Sequence, residues 1–340
     1  MKATRRMVFW VVMVDLVLAA AGLWGYRLLK WPYRGFSGAE TFVEIPAGTG
    51  VAGIALRLAD AGVVPHALVF RVAARLSGDE RKLQAGEYRF TDAATPDEIV
   101  ARLAKGDVYT RSITFREGLT MWEMADVFEA GGLGTKAAFL AEARDVSRIK
   151  ALDPQASSLE GYLFPDTYQL PRTAGAKGTV DAMVAGFLRA FDPALREAAA
   201  SRGLSVREVV TIASIVEKET AQAQERSIVS AVYQNRLRIN MGLQCDPTVI
   251  YALQLAGRWN GNLTRANLQM DSPYNTYRYA GLPPGPIASP GRASLEAAVR
   301  PDNVPYLYFV SRNDGTHAFA STLAEHNRNV TQWQVRYFRK

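Results

Sequence analysis

The chain of 340 residues is too long for one ordinary hydrophobic core, and 48% hydrophobic with 21% charged residues reads as globular: two soluble modules plus a targeting segment. A net charge of +7 does not mark a nucleic-acid binder, because the first 34 residues hold six of the 40 basic residues and one of the 33 acidic ones, leaving the remainder close to neutral. One cysteine excludes an intramolecular disulfide, and His66, His317 and His326 form no zinc-like spacing with it.

Met1-Lys2-Ala3-Thr4-Arg5-Arg6 precedes an apolar run over residues 7–29, which at about 1.5 Å per residue crosses a hydrocarbon core of about 30 Å. An uncleaved anchor is expected, because the run outlasts the roughly 7–15 apolar residues of a signal peptide, although Ala19-Ala20-Ala21 offers small residues for cleavage. Lys2, Arg5 and Arg6 on one side balance Arg27, Lys30 and Arg34 on the other, so the positive-inside count sets no orientation. Asp15 lies within the span at a cost of roughly 2.5–3.5 kcal/mol, and reads equally as facing a partner helix or as a tolerated, protonated side chain.

After a linker over residues 31–38, Thr41-Phe42-Val43-Glu44-Ile45 predicts a short strand, followed by Gly48-Thr49-Gly50-Val51-Ala52-Gly53 and a helix to about Ala61. The glycines fit a dinucleotide fingerprint, yet residues 69–76 read as helix where a second buried strand ending in an acid is needed, so a turn explains them better. The same strand, glycine and helix order returns at Ser112-Ile113-Thr114-Phe115-Arg116-Glu117-Gly118-Leu119-Thr120 and the helix up to Gly131-Gly132. Between the copies stand Gly86-Glu87-Tyr88-Arg89-Phe90 and a capped helix from Thr95-Pro96-Asp97-Glu98 to Gly106.

Residues 135–158 read as helix and then loop, with a domain boundary near residue 155. An aromatic turn over residues 161–168, a loop over 173–178 and helices over 180–191 and 193–201 follow. Ser205 with Glu208 forms a capping box for a helix whose Val209, Val210, Ile212, Ala213, Ile215 and Val216 make it apolar nearly all round. Glu217 then shares a face with Ala213, Ser214, Thr220 and Ala221, while Glu219 lies about 200° further round. Burial and the negative helix end both favour a protonated Glu217, the state a general acid needs, with Lys218 opposing; two solvated glutamates at an ordinary helix end are the alternative. Another helix runs from beyond Glu225 to about Ile239, residues 244–251 and 273–277 read as loops, Asp246 reads as a substrate contact or as the cap of a helix from Pro247, 306–310 as a buried strand, and the tail from Thr322 as helix.

Ile212-Ala213-Ser214-Ile215-Val216-Glu217-Lys218-Glu219-Thr220 is joined by Leu159-Glu160-Gly161-Tyr162-Leu163-Phe164-Pro165-Asp166-Thr167-Tyr168, Asn235-Arg236-Leu237, Leu243-Gln244-Cys245-Asp246-Pro247-Thr248-Val249-Ile250-Tyr251, Pro273-Tyr274-Asn275-Thr276-Tyr277, Gly281-Leu282-Pro283-Pro284-Gly285-Pro286-Ile287, Pro305-Tyr306-Leu307-Tyr308-Phe309-Val310 and His326-Asn327. Together these resemble the endolytic murein transglycosylase family (MltG, YceG-like) over essentially the whole C-terminal half. Cys245 departs from the small polar residue expected there, while its neighbours keep the pattern.

The resemblance implies an α+β architecture: residues 1–30 as cytoplasmic tip and transmembrane anchor, 31–155 as a LysM-like α/β module with connecting segment, and 156–340 as a mixed α+β catalytic domain outside the inner membrane. It implies cleavage of MurNAc-GlcNAc β-1,4 bonds within peptidoglycan strands to 1,6-anhydroMurNAc ends, without cofactor or metal, with Glu217 as the catalytic acid. Substrate contacts are expected from Glu160, Asp166, Tyr168, Gln244, Asn275 and Tyr277. Expected partners are glycan strands, the inner membrane and membrane-bound peptidoglycan synthases, with no nucleic acid. A muramidase-type hydrolase, with a second acid such as Glu160, Asp166 or Asp246, and a non-catalytic glycan-binding scaffold remain open alternatives.

Overall fold

The computed structural model describes residues 2–220 and 222–336, without the side chains of residues 2–9, 11 and 21. The placement of Ala221 beside Glu217, the start of the cytoplasmic tip at Met1 and the end of the catalytic domain at Lys340 lie outside the described residues. The chain divides into two compact units, Met1–Arg111 with Gln169–Thr173, and Ser112–Tyr168 with Ala174–Lys340.

In the first unit, helix α1 spans Lys2–Lys30, and its stretch Val12–Lys30, of mean hydropathy 1.5, is long and apolar enough to cross a membrane. Strand β1 (Thr41–Ile45) pairs antiparallel with β2 (Gly86–Phe90), setting Val43 opposite Tyr88, and the period-two alternation buries Val43 and Ile45 while Phe42 and Glu44 face out. Helices α2 (Val51–Asp60) and α3 (Ala67–Ser77) lie between these strands in sequence, and α4 (Pro96–Lys105) follows. Ile54, Leu58, Phe70, Tyr88, Ile99 and Leu103 close the core. The Thr95 hydroxyl accepts from Glu98 N–H and the Glu98 carboxylate from Thr95 N–H, as the capping box requires. A two-stranded antiparallel sheet leaves no parallel crossover at which a dinucleotide would bind, so Gly48, at φ 80°, is a turn residue.

Strand β3 (Thr110–Thr114) pairs with β4 (Thr167–Pro171). Gly118, at φ 75°, repeats the left-handed turn of Gly48 before α5 (Met121–Ala130), so the two strand-turn-helix copies share a backbone requirement as well as a sequence rhythm. Helix α6 (Lys136–Ala143) follows. In the second unit Phe115 stacks on Phe139, Phe139 meets Phe128 at a tilt of 38°, and Tyr168 meets Phe115 edge-on at 6.1 Å. Residues 112–155 therefore share a core with residues beyond 155.

Helices α7 (Gly175–Ala190) and α8 (Pro193–Ser201) lead into α9 (Val206–Glu219). The loop expected over residues 173–178 is largely helix: α7, buried along Thr179, Val180, Met183, Val184 and Phe187, already begins at Gly175, whose carbonyl accepts from the Thr179 hydroxyl at 2.7 Å. Helix α10 (Arg226–Arg238) precedes α11 (Asp246–Leu255), which takes up most of the loop expected over 244–251, because Thr248 bonds back to the Cys245 carbonyl and Pro247 suits the first turn. Helix α12 (Arg292–Val299) lies along α9. Strands β5 (Tyr308–Ser311) and β6 (His317–Ala320) form an antiparallel hairpin, and α13 (Leu323–Val330) closes on it. The strand expected as buried is half-buried along its length, since a two-stranded hairpin is covered on one side only.

Ser205 caps α9, the helix that carries Glu217, by accepting from Glu208 N–H at 3.3 Å while Glu208 accepts from Ser205 N–H at 2.8 Å. Ser205→Ala should cost about 1 kcal/mol of stability, read as a lower denaturation midpoint with an unchanged slope.

Candidate active site

Eight consecutive residues of α9, from Val209 to Val216, are buried, so the helix is locked on every side before its last turn. Ser214 donates to the Thr211 carbonyl at 2.8 Å and accepts from Ile287 N–H at 3.1 Å, which pins the 281–287 loop to the helix and makes Ser214 a packed hydroxyl.

One turn on, the side chain of Glu217 is only 7% exposed. Its Oε2 accepts from Gly291 N–H at 3.0 Å and from the Ser294 hydroxyl at 2.7 Å, both in the first turn of α12, while Arg226 stands 3.7 Å from Oε1. The end of α9 and the start of α12 therefore meet at this carboxyl, with a guanidinium on its other side.

A second carboxylate shares the site. Glu117, in the turn between β3 and α5, lies 3.9 Å from the same Arg226 nitrogen, and its side chain is about half exposed. Burial, and next the charge of Glu217, push its carboxyl up from the usual range, with Arg226 opposing. Gly118 N–H bonds to the Ser289 carbonyl and Ser289 N–H to the Leu119 carbonyl, both at 2.9 Å, while Lys218 donates to the Gly118 carbonyl at 3.1 Å. The Glu117 carboxylate rests against Gly291, where any Cβ would overlap it. Sequence reasoning missed Glu117, Arg226, Gly291 and Ser294. The available signal was Pro290-Gly291 before the helical run Arg292-Ala293-Ser294, together with Glu117-Gly118 at the repeated turn.

Glu219 points elsewhere, as its angle on the helix predicts. Its Oε1 accepts from Tyr233 at 2.7 Å and from the Cys245 thiol at 3.0 Å, and burial pushes its carboxyl up against the pull of those two donors.

The expected substrate contacts do not gather around Glu217. Glu160 is 2% exposed and accepts from Met121 N–H at 3.2 and 3.1 Å, at the start of α5; burial pushes it up to about 8, with Met121 and Tyr251 opposing. Tyr168 is buried and donates to the Phe164 carbonyl at 2.8 Å. Asn275 is fully buried and holds its own loop together, donating to the Leu268 and Met270 carbonyls and accepting from Tyr277 N–H. Asp166 and Gln244 are exposed, and Gln244 adopts φ 50°. Tyr277 is 36% exposed and donates to Asp246 at 2.6 Å, so Asp246 serves this pair and contributes no side-chain cap to α11.

Fold and site define a mixed α+β protein in which one helix ends in a buried glutamate held by another helix's N-terminus, with an exposed glutamate across a shared arginine. The chain belongs to the YceG-like family, whose family model matches residues 43–332. It is 32% identical over 92% of its length, and 90% of the relative's, to an endolytic murein transglycosylase of Bacillus subtilis. A Streptococcus pneumoniae protein of that name is 30% identical over 93% of this chain and 63% of its own length, so the chain spans under two thirds of the pneumococcal relative. A crystal structure of a yceG-like protein from Listeria monocytogenes, 35% identical, superposes over 86% of this chain and 99% of the other with a TM-score of 0.59.

The raised acid Glu160 makes the fold sensitive to pH. A carboxyl lifted from 4.5 to about 8 on folding binds more protons native than unfolded, so its contribution is fully present below about 4.5 and is lost as pH rises to about 8. Glu160→Gln should flatten this dependence, worth roughly a few kcal/mol across the window. Thermal unfolding of both proteins across that range checks it; parallel declines would remove Glu160 as the cause.

Proposed function

We propose that this chain is an endolytic peptidoglycan lytic transglycosylase with Glu217 as its catalytic residue. The observation that carries the reading is the first acid of Glu-Lys-Glu, buried at the end of α9 and set against α12 and Arg226, in a chain of the YceG-like family. Glu217 gives its proton to the oxygen that joins muramic C1 to the 4-position of the next glucosamine, and the C1–O bond breaks. The carboxylate then takes the proton of the muramic C6 hydroxyl as that oxygen closes on C1, forming the 1,6-anhydro ring and restoring the acid without consuming water. Ser294 and Gly291 N–H fix the carboxylate's orientation through both protonation states, because each is a donor aimed at Oε2.

The hydrophobic stretch Val12–Lys30 supports a single-pass tether to the inner membrane; a murein substrate would put the second unit outside, where membrane-bound synthases are proposed as neighbours. The order β1-α2-α3-β2, with its strands antiparallel, supports a LysM-like module that grips glycan or sets the height of the site. Glu117 favours a second reading, a muramidase using two carboxylates, since both acids stand within ion-pair distance of Arg226.

Mass spectrometry of digested murein separates the readings: anhydro ends from the transglycosylase, reducing ends from a muramidase, no new ends from a glycan-binding scaffold. Glu217→Gln should lower cleavage by about 10²–10⁴-fold with the fold intact, as expected for loss of acid–base chemistry. Glu219→Gln should lose far less activity, its effect appearing as stability through Tyr233 and Cys245. An inactive, folded Glu219→Gln beside an active Glu217→Gln would reassign the acid. N-terminal sequencing of the native protein checks the tether; a mature chain beginning near Gly22 would replace it with a cleaved signal.

A further inference from the structure

A general acid must carry a proton when substrate arrives, yet Glu217 faces a guanidinium and two hydrogen-bond donors. Among the described residues, the charged and titratable groups around it are few. From α10 comes Arg226; the preceding Glu225 is taken up by His317 at 2.6 Å. From α12, Arg292 faces Asp192 and Glu296. On α9 itself, Lys218 is held by the Gly118 carbonyl, and Glu219 is held by Tyr233 and Cys245. From the turn between β3 and α5 comes Glu117, across Arg226.

We propose that Glu117 is a positioning residue for the proton: by sharing Arg226 with Glu217, it offsets the guanidinium charge and keeps Glu217 able to act as an acid near neutral pH. Two carboxylates around one guanidinium leave an uncompensated negative charge, which one shared proton relieves. The backbone is shaped for Glu117. Gly118 takes the left-handed turn that presents Glu117, the Ser289 and Lys218 bonds clamp that turn, and Gly291 is the residue without a Cβ against which the carboxylate lies. Glu117 reaches Glu217 through Arg226 and donates nothing to the sugar itself.

This inference rests on the transglycosylase reading, and its test keeps the two apart. The full-length protein is assayed on isolated murein from acid to alkaline pH, with anhydro ends counted by mass spectrometry and folding checked by thermal unfolding at each pH. Glu117→Gln removes the offsetting charge, so the alkaline limb of activity should move down by about one pH unit, with activity largely recovered on the acid side. Glu117→Asp, which keeps the charge, should lie between that variant and the parent. Gly291→Ala, which displaces the Glu117 carboxylate by steric overlap, should move the limb in the same direction. A limb that stays in place in a folded Glu117→Gln overturns the proposal, whether activity is unchanged or falls equally at every pH. An upward shift also overturns it. Absence of anhydro ends from the parent protein at every pH sinks the transglycosylase reading itself, and the role of Glu117 with it.

Discussion

A carboxylate removed from water is the constraint on which the second unit turns. Isolated, an ionised side chain as buried as Glu217 would be prohibitive, so its surroundings must supply donors from rigid elements. The N-terminus of α12 supplies two, and Arg226 adds an opposite charge from the start of α10. This explains why α9 is apolar on every face: a helix clamped by its neighbours holds its final turn in register with the α12 terminus. It also explains the small residue at Gly291, where backbone N–H and a neighbouring carboxylate approach from different directions.

Glu217, Glu219 and Glu160 are three buried acids with three different settings. Glu217 faces a cation and donors beside an exposed carboxylate; Glu219 is closed in by a phenol and a thiol; Glu160 sits on the first turn of α5. Of these, Glu217 alone has an exposed titratable neighbour across its charge partner. Burial therefore identifies no active acid by itself.

Local features were the legible ones. Ser205 and Glu208 marked the start of α9, Thr95 and Glu98 that of α4, and the angle between Glu217 and Glu219 separated their surroundings correctly, because capping and helical phase depend on residues within one or two turns. The partners of Glu217 were hidden by distance along the chain: Gly291 and Ser294 lie 74 and 77 positions on, and the Gly118 turn clasped by Lys218 lies 100 positions back. The bonds of Asn275 to Leu268, Met270 and Tyr277, and of the Tyr168 hydroxyl in β4 to the Phe164 carbonyl, were not legible either, because a sequence does not show which backbone groups a side chain will face.

Cys245 gives the chain a property unrelated to catalysis. Its thiol is buried, donates to Glu219 and is pushed well above the usual thiol range, first by burial and then by that carboxylate. Thiolate is the form that attacks oxidants and other sulfurs, and here it is suppressed on two counts. With one cysteine, and that one buried, the chain has no second thiol with which to form an intramolecular crosslink.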